Sequence, residues 1–235
     1  MSNRRSALQS DPAATSEAPP SSSRGATREQ VDTAVRSGLL SGKFIPGKSV
    51  TIRGLATELG VSPMPVREVL QRLAAENALE VKPNGRVQVP DMTPERFDEI
   101  LTARLLLEPE LAVLSLPHLT RNDAKDLQII DDNIDERLTS GDAEAYMRLN
   151  HDFHFRIYGA SKSSVLLPLI DSLWLQFAPF MRTVYGRVGT AILEDRHKEA
   201  IRAIEQQDKD GLRAAIAADI SDGMGLLGRD ILSSS

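Results

Sequence analysis

A chain of 235 residues with 41% hydrophobic and 26% charged residues has the composition of an ordinary globular protein, with enough apolar material for a sizeable core. It contains no cysteine, which excludes a disulfide framework and a thiolate metal site, and no apolar run approaches the roughly 20 residues that span a bilayer. The net charge of −5 is uneven: residues 26–91 hold 9 basic and 7 acidic side chains, residues 92–235 hold 16 and 24, so the acidity is C-terminal and the mild basicity of the earlier segment does not by itself imply a nucleic-acid partner.

Residues 1–25, "MSNRRSALQSDPAATSEAPPSSSRG", are rich in Ser, Pro and Ala and have little to bury, so a disordered tail is expected. The tail lacks the continuous apolar stretch of a secretion signal, which points to the cytoplasm. Helical spacing of Val31, Ala34, Val35 and Leu39 predicts a helix over 28–41, ended by the Gly and Pro of "GKFIPGKS". A short helix follows over Ile52–Leu59 and stops at Gly60. Ser62 is a natural N-cap, Pro63 suits a first helical turn, and Val66, Val69, Leu70 and Leu73 share a face of the third helix. "LEVKPNGRVQVP" reads as two short strands joined by a Pro-Asn-Gly turn. This order is that of a winged helix-turn-helix over 26–91. From Thr93 onward, helical spacing recurs over about 94–116, 121–139, 142–159, 163–186, 190–207 and 209–232, which predicts a six-helix antiparallel bundle over 92–235. The expected fold class is mainly α.

The stretch Leu55–Val89, "LATELGVSPMPVREVLQRLAAENALEVKPNGRVQV", resembles the winged helix-turn-helix of the GntR family. That family's pattern runs LA-x-x-L-G-V-S-x-x-P-V-R-E-A-L-x-x-L-x-x-E-G-L before a Pro-Asn-Gly-type wing. The chain departs from it at Pro63, where many members carry a base-reaching arginine, and at Asn77, where glycine is usual. Asparagine tolerates the left-handed backbone that a helix end needs. The resemblance implies double-stranded DNA as partner, with a palindromic operator read by a homodimer. The third helix would present Ser62, Met64 and Arg67 to the major groove, where Arg67 can pair with a guanine edge or clamp a phosphate. Arg53 matches a family position that touches DNA. Lys82 and Arg86 flank a wing tip at which Gly85 lets the backbone approach the duplex. Outside such a motif, Arg67 and Glu68 would read as a solvated face.

In the helical half, polar residues that interrupt apolar stripes carry the information. "NHDFHF", Asn150–Phe155, holds two of the four histidines. Asn150 and His154 are four apart and share the stripe of Tyr146, Met147, Phe153 and Ile157, whereas His151 and Asp152 turn to the flank or outside. His197 interrupts Leu193, Ile201 and Ile204. Asp219 interrupts Leu212, Ile216 and Gly223. A turn near Asp208 lies midway between His197 and Asp219, so antiparallel helices joined there would bring the two level. Arg104 breaks the stripe of Ile100, Leu107 and Leu111, and Glu108 stands four residues on as a salt-bridge partner. Trp174, Phe177 and Tyr185 read as core before effector wall, though Tyr185 offers a hydroxyl. His118, after Pro117, reads as solvated.

Residues 93–230 are similar, more loosely, to the FadR-type ligand-binding (FCD) domain of the GntR family, a six-helix bundle with four metal ligands. The resemblance implies that Asn150, His154, His197 and Asp219 take those places, with Asp219 where the family has a fourth histidine. Two imidazoles, a carboxylate and an amide oxygen suit a divalent ion: Zn²⁺ first, Ni²⁺ or Mn²⁺ otherwise. It further implies a small organic-acid effector over the metal, with Arg104 and Tyr185 as candidate contacts. The expected function is a metabolite-responsive DNA-binding repressor. Two alternatives stand beside it: a regulator whose polar cluster is metal-free or purely structural, and a metal-dependent hydrolase with an appended DNA-binding domain. The latter needs a general base; Asp152 and Glu199 are available, but helical phase turns Asp152 away, and no nucleophile elbow, phosphate loop or HExxH occurs. No enzyme is expected.

Overall fold

Short-range signals place most element boundaries. The computed structural model describes residues 23–83, 86–188, 196–226, 228, 229 and 232; the expected disordered tail lies outside them except for its last residues, which begin α1 (Ser23–Leu40). In α2 (Ile52–Leu59), the Thr51 hydroxyl accepts from the Gly54 amide at 3.0 Å, and Gly60 ends the helix at φ 65°. Ser62 precedes α3 (Pro63–Ala75) in the N-cap position, but its hydroxyl makes no capping bond. The reason is local: the third helical residue is Pro65, which has no N–H to offer. Beyond α3, Asn77 adopts φ 59°, the left-handed conformation anticipated there.

The wing is a sheet of three strands, not two. β2 (Glu80–Val81) and β3 (Val87–Gln88) pair antiparallel with Val81 opposite Val87, and β1 (Ser49–Val50) adds to the other edge of β3 with Val50 opposite Val87. Two residues are too few to show alternation, so β1 leaves no periodic trace in the sequence.

The six bundle helices are α4 (Pro94–Ser115), α5 (Arg121–Ser140), α6 (Ala143–Gly159), α7 (Leu166–Val188), α8 (His197–Gln206) and α9 (Lys209–Ile220). Thr93, Thr120, Asp142 and Asp208 cap α4, α5, α6 and α9 by accepting from backbone amides, and Thr120 forms a capping box with Asp123. Expected and observed limits differ most at the last two helices. Residues 189–195 lie outside the described region, so the predicted start of the fifth bundle helix at 190 does too, and α8 begins at His197. α9 widens after Ile220 into a π-helical turn over Ser221–Leu226. α4 runs through the middle and packs on α6, α7 and α9, while α5 packs on α6 and α8. Among the described residues no helix is long and apolar enough to cross a membrane.

Two apolar cores result, one per domain, and two residues link them. Leu175 of α7 is fully buried in the core of the N-terminal domain, and Leu40 at the end of α1 packs against both cores. Polar contacts reinforce this seam. Arg36 of α1 reaches Glu76 at 2.7 Å and Asp171 of α7 at 2.8 Å, with Asp32 at 3.2 Å. The Ser172 hydroxyl donates to the Glu76 carbonyl at 2.9 Å, and Arg96 donates to the Asn77 carbonyl and to Gln176, both at 2.9 Å. At Gly42 (φ 71°) the chain leaving α1 passes so close to Arg182 of α7 that a Cβ would collide with it.

Candidate metal centre and DNA interface

α6, α8 and α9 bring His154, His197 and Asp219 together: one donor atom from each lies within 4.8 Å of the others. The α8–α9 turn is tight, with Gln207 left-handed at φ 55° and Asp208 capping the next helix, so α9 folds back along α8. His197 stands at the first position of α8 instead of mid-helix, yet it is buried because the Phe153 ring stacks on it at 3.9 Å. Asp219 lies 3.1 Å from His154 Nε2 and 3.8 Å from His197 Nε2, and its other role is to accept from the Arg196 amide at 3.1 Å. Asn150, one turn before His154, lines the same cavity. His151 stacks on Phe155 at 4.1 Å, away from the cluster, and the Asp152 side chain is more than half exposed.

The neighbours of each imidazole define which nitrogen carries its proton. His197 Nδ1 is 3.0 Å from Asp131 Oδ1, and a carboxylate only accepts, so Nδ1 holds the proton and Nε2 the lone pair. His154 Nδ1 is 3.1 Å from the Tyr158 hydroxyl, which itself donates to Glu108 at 2.8 Å. With that proton committed, the tyrosine oxygen accepts from His154 Nδ1–H, and His154 Nε2 is also bare. Burial raises the Tyr158 hydroxyl well above its usual range, and Glu108 adds to this, so it stays protonated.

Two bare Nε2 atoms therefore converge on the Asp219 carboxylate. Buried His154 Nε2 makes no aligned hydrogen bond despite its 3.1 Å approach to Asp219. Acceptors facing acceptors at this distance repel unless a cation lies between them. A proton is one candidate, but burial lowers the basicity of His154, against the opposing pull of Asp219. Burial alone would raise the Asp219 carboxyl; positive charge and a shared proton at the two imidazoles, the same role a cation between the groups would fill, and the Arg196 amide outweigh it and hold the group well below its ordinary value. The donor set thus fits a divalent ion with N/N/O preference. Asp131 and Tyr158 are the outer partners that orient such ligands. Neither stands out from the sequence as a site residue, although Asp131 interrupts the α5 stripe of Leu127 and Ile134 just as the others interrupt theirs.

The adjoining cavity encloses about 50 Å³. Arg104 lines it, buried, with its guanidinium on Glu108 (Nη2 to Oε2 3.2 Å) and 4.4 Å above the Trp174 ring. Tyr185 lines it as well; burial pushes its hydroxyl up to about 12, although a hydrogen bond from Tyr146 works the other way. Trp174, Phe177 and Tyr185 are at once core and cavity wall.

On the helix-turn-helix half, Arg53, Ser62, Met64 and Arg67 are exposed along α2 and the start of α3, Met64 at 71%. Among the described residues neither Arg53 nor Arg67 has an ion-pair partner, and the uncapped Ser62 hydroxyl faces solvent. Lys82, just past β2, is half-buried and pairs with Glu80 of that strand, and its amide donates to the Arg86 carbonyl at 2.8 Å to close the hairpin. Arg86 is exposed; Gly85 lies outside the described residues. His118 is exposed, as expected after Pro117.

Comparison with known proteins agrees with both halves. Residues 27–89 match the bacterial regulatory proteins of the gntR family, and residues 99–222 match the FCD domain. The HTH-type transcriptional regulator McbR of Escherichia coli K12 is 30% identical over 201 residues, spanning 84% of this chain and 91% of that protein. The gluconate operon transcriptional repressor of Bacillus licheniformis is 25% identical over 217 residues, 86% of each chain. The solved structure of E. coli McbR/YncC superposes with a TM-score of 0.81 at 29% identity, covering 87% of this chain and 98% of that one. A GntR regulator from Rhodococcus sp. RHA1 shares the fold, with a TM-score of 0.69 at 18% identity over 87% of this chain and 98% of that one. These relatives are named as regulators of transcription, not as enzymes. The chain is thus a transcription regulator of the gntR family, with a helix-turn-helix DNA-binding domain followed by an FCD domain.

Proposed function

We propose that this regulator is a cytoplasmic homodimeric repressor that binds a divalent metal, zinc in the first place, and releases a palindromic operator when a small organic acid occupies the cavity beside it. The observation that carries this reading is the convergence of the lone pairs of His154 and His197 on Asp219, with each imidazole oriented from behind by Tyr158 or Asp131. Asn150 or a water would complete the ligand set. When bound, the metal would supply a Lewis-acidic place for the effector's carboxylate. Tyr185, which keeps its proton across the physiological range, stands ready to donate to that carboxylate, and Arg104 lends positive potential from its seat on Glu108. Arg53, Ser62, Met64 and Arg67 would enter the operator's major groove, while Lys82, Gly85 and Arg86 would approach its backbone from the wing. The name of the B. licheniformis relative, a transcriptional repressor of a gluconate operon, supports the repressor reading.

Metal analysis of the purified protein and of His154→Ala tests the centre. Near-stoichiometric zinc in the parent and its loss in the variant are expected; an equal, near-zero content in both would end the metal reading. Gel-shift with DNA upstream of the protein's own gene tests the regulator, and salt-sensitive binding is expected.

A further inference from the structure

The cavity's wall divides by element. Its polar groups near the candidate metal come from α6 and α9: Asn150, His154 and Asp219. Its apolar groups come chiefly from α1 and α7: Leu40, Trp174, Phe177, Ala178 and Met181. Of the other polar groups on the wall, Arg104 is engaged with Glu108, which does not line the cavity, and Tyr146 donates to Tyr185. A polyhydroxylated acid would bury hydroxyls against that apolar wall, where each unpaired one is penalised. A short hydrocarbon tail would not be.

One residue of that wall belongs to the other domain. Leu40 is the last residue of α1, in the DNA-binding half, and it packs against both apolar cores while lining the cavity. Anything that fills the apolar side of the cavity therefore touches the DNA-binding domain directly, beside the seam made by Arg36, Glu76 and Asp171.

We propose that the effector is a short carboxylic acid with an apolar tail, and that Leu40 of the DNA-binding domain forms part of the tail's seat. This deepens the effector reading above and rests on its assignment of the cavity. A cavity volume of about 50 Å³ limits the buried part of the tail to a few carbons, since a single water needs roughly 10–15 Å³. Leu40 is then both the gauge of tail length and the point at which occupancy is felt by the DNA-binding half.

Trp174 is the chain's single tryptophan and sits in the wall, so its fluorescence reports on the cavity without any reference to DNA. Full-length zinc-treated protein is titrated with acetate, propionate, butyrate, pentanoate, hexanoate and gluconate. The expected result is saturable binding that tightens about three- to fourfold per added methylene until the cavity is full, with gluconate no tighter than acetate. Leu40→Ala, at a partly buried position, moves the preferred chain up by at least one carbon and weakens the acid's effect on operator affinity. Leu40→Met, which restores the bulk, returns the parental preference. Tighter binding of gluconate than of butyrate, no saturation by any acid, or an unchanged preference in Leu40→Ala would each overturn the proposal. Zinc content measured on the same samples judges the metal reading separately, because the ion would act on the carboxylate that every acid of the series shares, whereas the trend with chain length depends on the wall.

Discussion

Asp131 and Tyr158 do for the two histidines what helix geometry cannot: they choose the tautomer. Asp131→Asn keeps the shape but can present an amide N–H₂ to His197 Nδ1, which favours the wrong tautomer. Zinc affinity is expected to fall about 10- to 100-fold, measured by competition with a chelating dye, with the helical circular dichroism unchanged. Tyr158→Phe removes the hydroxyl between His154 and Glu108 and leaves a buried carboxylate one donor short. A stability loss of about 1–3 kcal/mol is expected in thermal unfolding, along with weaker zinc binding. A variant that unfolds like the parent would argue against the relay from Arg104 through Glu108 and Tyr158 to His154. At this scale the clustered residues His154, His197 and Asp219 are readable in the sequence, because a polar side chain on an apolar stripe is costly to bury unless it meets a partner. Tyr158 is not, because a tyrosine on a stripe passes for core until its hydroxyl is located.

α7 is the element that serves both domains. One part of its surface carries Trp174, Phe177 and Met181 to the cavity, and another carries Asp171, Ser172, Leu175 and Gln176 to the DNA-binding half. Arg36 is the charged centre of that seam. Arg36→Ala leaves three acidic groups facing one another and is expected to cost about 1–3 kcal/mol in urea unfolding, with faster proteolysis between the domains. Asp171 behaves differently. Burial raises its carboxyl above the ordinary value, more than Arg36 lowers it, so the folded value exceeds the unfolded one. Ionised Asp171 therefore opposes folding at neutral pH, and this opposition fades as pH falls through the folded value. Asp171→Asn is accordingly expected to cost less than Arg36→Ala at pH 7, and a larger loss would show that the Arg36 pairing outweighs the burial. Because Leu175 sits in the middle of α7's apolar pattern, its periodicity reads as core without saying whose core it is.

For the whole molecule, the expected consequence is that DNA binding and metal binding can be separated by mutation but not by effector. Arg67→Ala should weaken operator binding by about 1–3 kcal/mol in a gel-shift, while leaving zinc content intact. If Arg67 clamps a phosphate, the salt slope should also fall by about one; if it reads a base, specificity at one operator position should relax instead. Either result keeps Arg67 at the interface, and an unchanged affinity would remove it.

The local code of the chain was enough to establish the order of elements, the left-handed helix ends at Gly60 and Asn77, the GntR-type motif and four of the polar residues around the site. Each of these is encoded within a few residues by periodicity, a capping side chain or a turn. Tertiary structure alone decided the rest: a third strand paired to the wing, the capture of Leu175 by the neighbouring core, the intrusion of Leu40 into the cavity beside the His154–His197–Asp219 cluster, and the proton placement at His154 and His197. Most of those features depend on residues far apart in the chain meeting in space, as Arg36 meets Glu76 and Asp171, 40 and 135 positions away, or His197 meets Asp131, 66 positions away, and no periodicity within a single helix records which neighbour its buried face will find.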